Sequence, residues 1–345
     1  MKTEIFATMG PACGTENVIR EMIRAGMTGM RLNLSHTTLQ KSQNYIDAYQ
    51  AAAKEMGVSP QILIDMQGPE LRVGAFDSPM ELHEGEELTL EDMSATATTA
   101  GAIGVPPALL SSLSVGDEVL LDDGKILVQV IGEEKSLFPV EKCIVGKVVR
   151  GGVLHGHKSI KIVDKDIKMP VLTDHDIANI KVAKEYGVTA LMQPFVRSGE
   201  DLRKVRAFLT EQDATDVRIF AKIENRYGVE HMDSIIPEAD VIVIARGDLG
   251  NDMPLWELPR VQKQIEEACK KYDKPYIVVT QMLASMEQNP VPTRAEVSDI
   301  YHAVYHGAWG VMVTGETAVG KYPVEVITYL ANTAGEAEKE NNKSL

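Results

Sequence analysis

The sequence predicts a (β/α)8 barrel of parallel strands with a small all-β domain inserted after the third strand. Three observations predict it. Short apolar, β-branched runs recur eight times, most of them separated by amphipathic helical segments, and such alternation implies a parallel sheet. The interval from 73 to about 165 breaks that rhythm and reads as short strands joined by turn signals. Polar residues gather at the ends of six of the eight runs, the rim where barrels of this kind carry their chemistry.

In order, the runs are Glu4–Met9, Met30–Leu34, Gln61–Met66, Thr189–Phe195, Arg218–Ile223, Val241–Ala245, Tyr276–Thr280 and Gly310–Thr314. Between the first two lies TENVIREMIRAG, with Thr15 placed to cap a helix and Gly26 to stop it. LWELPRVQKQIEEACKKYDKP supplies a helix before the seventh strand. In the irregular interval, MELHEGEELTL, DEVLLDDGKILVQVIGEE and KCIVGKVVRGG read as strands, SATATTAGAIG as a loop, and Asp122–Gly124 as a hairpin turn. The barrel is therefore assigned to 1–72 and 166–345 and the insertion to 73–165. An insertion there would emerge at the C-terminal rim, where it can act as a lid that excludes water. The polar end GEAEKENNKSL is expected to fray.

At 345 residues with 44% hydrophobic side chains, the chain can bury a large core. A net charge of −15 and an aromatic content of 5% argue against nucleic acid and anionic membrane as partners. MKTEIFATMG lacks the apolar segment of a signal peptide, and VIVIA at 241–245 is too short to span a bilayer. Cys13, Cys143 and Cys269 form no motif, which points to a reduced, cytoplasmic protein. His155 and His157 sit two apart with no third ligand, so they are read as loop residues, and the methionines mostly as core filler.

The strand ends read RLNLSH, DMQGPELR, AKIEN, ARGDLG, TQM and TGETA. Residues two apart on a strand share a face, so Lys222 and Glu224 point the same way, as do Arg31, Asn33 and Ser35. Glu224 and Asp248, on neighbouring strands, suit Mg2+ or Mn2+ completed by water and ligand oxygens. Arg31, Arg72, Lys222 and Arg246 supply positive charge, and arginine forks match phosphate and carboxylate. Cations beside a divalent metal are the apparatus of phosphoryl transfer. No GxxxxGK(S/T) loop is present, which excludes a P-loop enzyme.

These residues resemble the pyruvate kinase family. The resemblance runs over nearly the whole chain in strand order: ATMGPAC, AGMTGMRLNLSH, DMQGPELR, AKIENRYGV, IARGDLG, TQMLASM, PTRAEVSDI and TGETAVGKYPVEV. It implies phosphoenolpyruvate and ADP as substrates, pyruvate and ATP as products, a place in glycolysis, and Mg2+ and K+ as cofactors. Lys222 would stabilise the transferring phosphoryl group and Arg31 would contact it. Glu224 and Asp248 would hold the divalent metal. The amides near Gly247 and Asp248, with Thr280, would receive the substrate carboxylate, and Thr280 would help relay a proton to the enol carbon. Asn33, Ser35, Asp65 and the Met66 carbonyl would form the K+ site, and Glu70 marks the members that need K+. Pro11, His36, Arg72 and Lys158 would lie near the nucleotide, with Asp123 close by. Lys158 would come from the lid.

Departures from the family pattern are also legible. Its KGVNLPG hinge stands here as KSIKIVD at 158–164, SHG as SHT with Thr37, and ASF as QPF with Gln193 and Pro194. The usual lysine at position 67 is Gln67, the serine at 314 is Thr314, and GDLGxEIP is GDLGNDMP. Most of these fall in the nucleotide and lid region. Family members usually continue into a C-terminal domain with an effector site and a subunit interface. The sequence ends after the eighth barrel helix, so no sugar-phosphate activation through that site is expected, and a homodimer would form through barrel helices. Two other functions fit the same rim: a metal-dependent lyase or transferase working through a pyruvate enolate, and a non-catalytic phosphoenolpyruvate-binding protein. A lyase would not need Lys222 beside Arg31, and the altered hinge favours the second.

Overall fold

Parallel strands covered on both faces need apolar residues throughout, and the eight predicted runs have that composition. The computed structural model describes residues 2–342 apart from 36, 95–100, 123, 135–142, 164, 166 and 168. Three strands come first: β1 (Glu4–Thr8), β2 (Gly29–Asn33) and β3 (Ile62–Asp65). Eight follow in the irregular interval: β4 (Met80–Leu82), β5 (Glu87–Asp92), β6 (Ile103–Val105), β7 (Glu118–Leu121), β8 (Ile126–Glu134), β9 (Cys143–Arg150), β10 (Gly152–Leu154) and β11 (Ile160–Ile162). Then come β12 (Ala190–Gln193), β13 (Arg218–Ile223), β14 (Val241–Ala245), β15 (Tyr276–Val279) and β16 (Gly310–Val313).

The first three and last five strands close a parallel barrel in the order β1-β16-β15-β14-β13-β12-β3-β2. Seven of the predicted runs contain one of these strands, and the second, Met30–Leu34, overlaps β2, which begins one residue earlier at Gly29. The chain divides into two compact units, Met1–Pro69 with Val171–Leu345, and Glu70–Pro170. The interval 73–165 lies within the second.

Alternation along each barrel strand separates two cores. Phe6, Leu63, Met192, Phe220, Val243, Ile277 and Met312 fill the lumen, with Trp309 packed against them. Phe6, Phe220 and Trp309 meet pairwise with ring centroids 6.1 Å apart. The intervening residues, such as Met30, Ile64, Ile219 and Ile244, face the helix layer. Helix Glu16–Ala25 begins as expected: Thr15 accepts from the Val18 N–H at 3.4 Å, and Gly26 ends it at φ 122°. Helices Asp174–Val182 and Arg294–Tyr305 start with capping boxes, Thr173 with Asp176 and Thr293 with Glu296.

The second unit is a six-stranded sheet, β11-β7-β8-β9-β5-β6, and a two-stranded one, β10-β4. Helix Pro107–Ser112, which the sequence pattern did not announce, follows β6. Its core holds Leu90, Val119, Val128, Ile144 and Ile160. Among the described residues, no helix is long and apolar enough to cross a membrane.

Candidate active site

The lumen parity of β13 runs Phe220, Lys222, and on to Glu224 just past the strand end. Lys222 Nζ lies 2.5 Å from Glu224 Oε1 and 3.6 Å from Asp65 Oδ1. Neither of those two oxygens has a hydrogen bond of good geometry, and the ammonium is their counter-charge. Glu224 is 3% exposed, and its Oε2 accepts from the Phe195 N–H at 2.7 Å. Phe195 turns that amide inward from a left-handed backbone, φ 52°. Burial works against the Lys222 charge, but Asp65, Glu224 and Asp248 outweigh it and hold the ammonium charged. Burial raises the Glu224 pKa; Lys222 opposes this and the Asp248 charge adds to it. The Asp248 charge that disfavours a charged Glu224 would be relieved by a divalent cation, so Glu224 and Asp248 fit such an ion.

On β2 and β3 the same parity brings Arg31 and Asp65 into the lumen. Asp65 Oδ2 accepts from Arg31 Nε at 3.0 Å and Nη2 at 2.6 Å. Arg31 Nη1 donates to Thr8 Oγ1 at 2.9 Å, and Thr8 itself donates to the Val313 carbonyl. Burial works against the Asp65 charge, and Lys222 and Arg31 outweigh it, keeping the carboxyl below its usual range. Asn33 stands in register with Asp65, and its Oδ1 accepts from the Ser35 N–H at 3.2 Å. Met66 follows Asp65 directly, so the four residues named for K+ lie on two adjacent strand ends.

At β14 the chain passes straight into helix Arg246–Asp252, which places Arg246, Gly247 and Asp248 on the rim. The Gly247 N–H donates to Thr280 Oγ1 at 2.7 Å. Thr280 and Gln281, after β15, are both left-handed, with φ 69° and 53°. Strain of this kind in a β-branched residue persists only where the surroundings over-determine it.

The second unit carries Arg72 and Lys158. Arg72 pairs with Glu70 and donates to the His157 carbonyl at 2.8 Å. Lys158 Nζ lies 3.0 Å from Asp122 Oδ1, and Asp122 also holds Lys125 at 3.0 Å. Asp122 and His157 are left-handed, with φ 48° and 60°. Pro11 lies in the exposed turn after β1. His36 and Asp123 lie outside the described residues.

Several contributors were missed in the sequence reading. Thr8 aims Arg31, and its signal was available in the lumen spacing from Phe6. The Phe195 amide depends on backbone geometry, which no residue type announced. Glu316 of TGETA is buried and accepts from the Leu283 N–H at 3.1 Å and the Thr314 N–H at 2.6 Å, tying two rim loops together. Gly315 leaves room for Glu287, whose Oε1 would lie 2.2 Å from an added Cβ. The departures also have local roles. Gln193 faces the helix layer and donates to the Val171 and Pro194 carbonyls, both at 3.1 Å. Ile160–Ile162 of KSIKIVD form β11, paired with β7.

The family model described as pyruvate kinase, barrel domain, matches residues 1–327. Pyruvate kinase of Geobacillus stearothermophilus is 38% identical over 98% of this chain, which spans 57% of that relative. Pyruvate kinase of Bacillus licheniformis is 36% identical over 99% of the chain and 58% of its own length. Pyruvate kinase of Clostridium acetobutylicum is 34% identical over 99% of the chain and 71% of its own length. The chain thus spans less than two thirds of the first two of these relatives. With a matched family model over most of the barrel and relatives aligned almost end to end with this sequence, the chain belongs to the pyruvate kinase family.

Proposed function

We propose that the chain transfers the phosphoryl group of phosphoenolpyruvate to ADP, giving pyruvate and ATP, with Mg2+ or Mn2+ and K+ as cofactors. The observation that carries this reading is the Lys222 ammonium, buried, charged, and set among Asp65, Glu224 and Asp248 in the barrel that also presents Arg31. That arrangement offers fixed positive charge to a transferring phosphoryl group.

Glu224 and Asp248 would hold the divalent cation, which when bound supplies further positive charge to the phosphoryl oxygens. Lys222 donates to the phosphoryl oxygens, and Arg31, aimed by Thr8 and Asp65, contacts them from the β2 side. The substrate carboxylate takes the Gly247 and Asp248 amides, displacing the Thr280 hydroxyl from the first. Thr280 is then placed to relay a proton to the enol carbon. Asn33, Ser35, Asp65 and the Met66 carbonyl would receive K+, with Glu70 the residue that marks the need for it. By resemblance to the family, Pro11 and His36 would be nucleotide residues of the first unit and Arg72 and Lys158 of the second. Within the second unit, Arg72 and Lys158 are already held by Glu70 and Asp122, which must share them with phosphate. Buried Cys13 and Cys269, which form no disulfide, support a cytoplasmic location, and barrel helices would carry a homodimer.

The test is a coupled assay of pyruvate formation with Mg2+, comparing ADP with GDP and K+ with Na+. Nucleotide-dependent turnover that falls without K+ is the expected result. No turnover by folded protein that still binds Mn2+ and oxalate would sink the reading. It would favour the non-catalytic alternative, for which the pairing of Ile160–Ile162 into a sheet is the supporting observation.

A further inference from the structure

At the end of β15 the backbone takes a conformation that its residues resist. Thr280 and Gln281 follow one another in the left-handed region, at φ 69° and 53°. Neither is glycine, and threonine is branched at Cβ, so nothing local to the pair favours that geometry. The groups that hold it come from the preceding rim segment. Arg246 Nη2 donates to the Thr280 carbonyl at 2.9 Å and also meets Met282 Sδ. Arg246 Nη1 donates to Asp299 Oδ2 at 2.6 Å, on helix Arg294–Tyr305. The side chain is 12% exposed. Meanwhile Thr280 Oγ1 accepts from the Gly247 N–H at 2.7 Å and donates to the Val279 carbonyl at 2.6 Å.

Composition made Arg246 one of four cations available to an anionic ligand. The geometry gives it a different task, because its charge is matched by Asp299 and both terminal nitrogens are engaged by protein. We propose that Arg246 is a positioning residue: braced by Asp299, it grips the Thr280 carbonyl, holds the Thr280–Gln281 pair left-handed, and so keeps the Thr280 hydroxyl directed at the Gly247 amide. This rests on the reading of Thr280 given above. Arg246 touches no reacting atom. Its loss lets the pair relax to ordinary backbone angles and swings the hydroxyl away.

The experiment compares the parent chain with Arg246→Met, Gln281→Gly and the double variant. It follows exchange of pyruvate methyl protons into D2O with Mg2+, K+ and inorganic phosphate, together with phosphoenolpyruvate turnover and Mn2+ affinity. Misplacement of Thr280 in Arg246→Met is expected to lower exchange and turnover about a hundredfold while Mn2+ affinity holds. Glycine adopts left-handed angles freely, so Gln281→Gly alone stays near the parent and recovers about tenfold of the loss in the double variant. Parent-like exchange in Arg246→Met overturns the proposal. So does a folded double variant with no recovery, which would mark Arg246 as a direct anion ligand. If the parent shows neither exchange nor turnover, the functional reading fails. The proposal is then judged by the crystal structure of Arg246→Met: Thr280 at negative φ supports it and an unchanged left-handed Thr280 overturns it. Should that variant not fold, Asp299→Asn replaces it with the same expected outcomes at smaller amplitude.

Discussion

Replacing Lys222 by methionine keeps most of the side-chain length and removes the charge. The structure sets the size of the effect on folding. The ammonium leaves Glu224 Oε1 at 2.5 Å and Asp65 Oδ1 at 3.6 Å, both on buried carboxylates. One-sided loss of a buried pair costs about 3–5 kcal/mol. Arg31 keeps both of its bonds to Asp65 Oδ2, and Glu224 can take up a proton, so the expected loss is at the low end, about 3 kcal/mol. The effect on transfer is separate. A fixed charged donor aimed at a transferring phosphoryl group is worth about 10³-fold or more in kcat. Metal binding should move the other way, because Lys222 opposes a second cation at Glu224. The assay is coupled pyruvate formation beside an electron paramagnetic resonance titration of Mn2+. We expect turnover to fall about 10³-fold with Mn2+ affinity unchanged or tighter. Turnover within about tenfold of the parent, a change of only about 1.4 kcal/mol in the barrier, would refute the role given to Lys222.

Glu224→Gln removes one of the two carboxylates that fit a divalent cation, and a titration should show weaker Mn2+ binding; unchanged affinity would take Glu224 out of the site. Glu296 accepts from the Ser285 N–H and Oγ and from the Thr293 N–H and Oγ1 at 2.6–2.8 Å. Burial would raise its pKa, but these bonds outweigh that and lower it. The stability it contributes is therefore present above the unfolded carboxyl pKa and lost as pH falls through the folded one. Glu296→Gln should lower urea stability by about 1–2 kcal/mol at pH 7, with the gap narrowing in acid; a gap independent of pH would contradict the assignment. Cys13 and Cys269 are pushed up to about 11 and about 12 by burial, with Glu266 adding to the second. Both should resist a disulfide reagent at pH 8 until denaturant unfolds the chain; fast labelling of native protein would show that the thiols are accessible. Phe220→Ala empties the lumen cluster and should cost about 3–5 kcal/mol by chemical denaturation; a loss under about 1 kcal/mol would mean that the lumen collapses around the gap.

The eight barrel strands were legible because a parallel strand buried on both faces must be apolar, and runs such as VIVIA have few other uses. Strand ends were legible to within a few residues. That Lys222 and Glu224 share a face followed from period-two alternation alone. Helix Pro107–Ser112 was not, since six residues are too few for a periodic signal. The roles of Phe195, Gln193 and Glu316 were also hidden. Each acts on a partner distant in sequence, and local pattern says nothing about which distant atoms meet.

By itself, then, the sequence determined the alternation of strands and helices, the face each side chain takes on its strand, and the set of charged residues at the rim. Those are local properties, carried by side-chain period and composition. Tertiary structure alone decided which charges neutralise which: that Asp65 spans Arg31 and Lys222, that Glu224 meets both an ammonium and a strained backbone amide, and that Arg246 turns to Asp299 and the Thr280 carbonyl. Closing the barrel brings β2, β3 and β13 together around one lumen. Only that closure sets the distances on which the electrostatics depend.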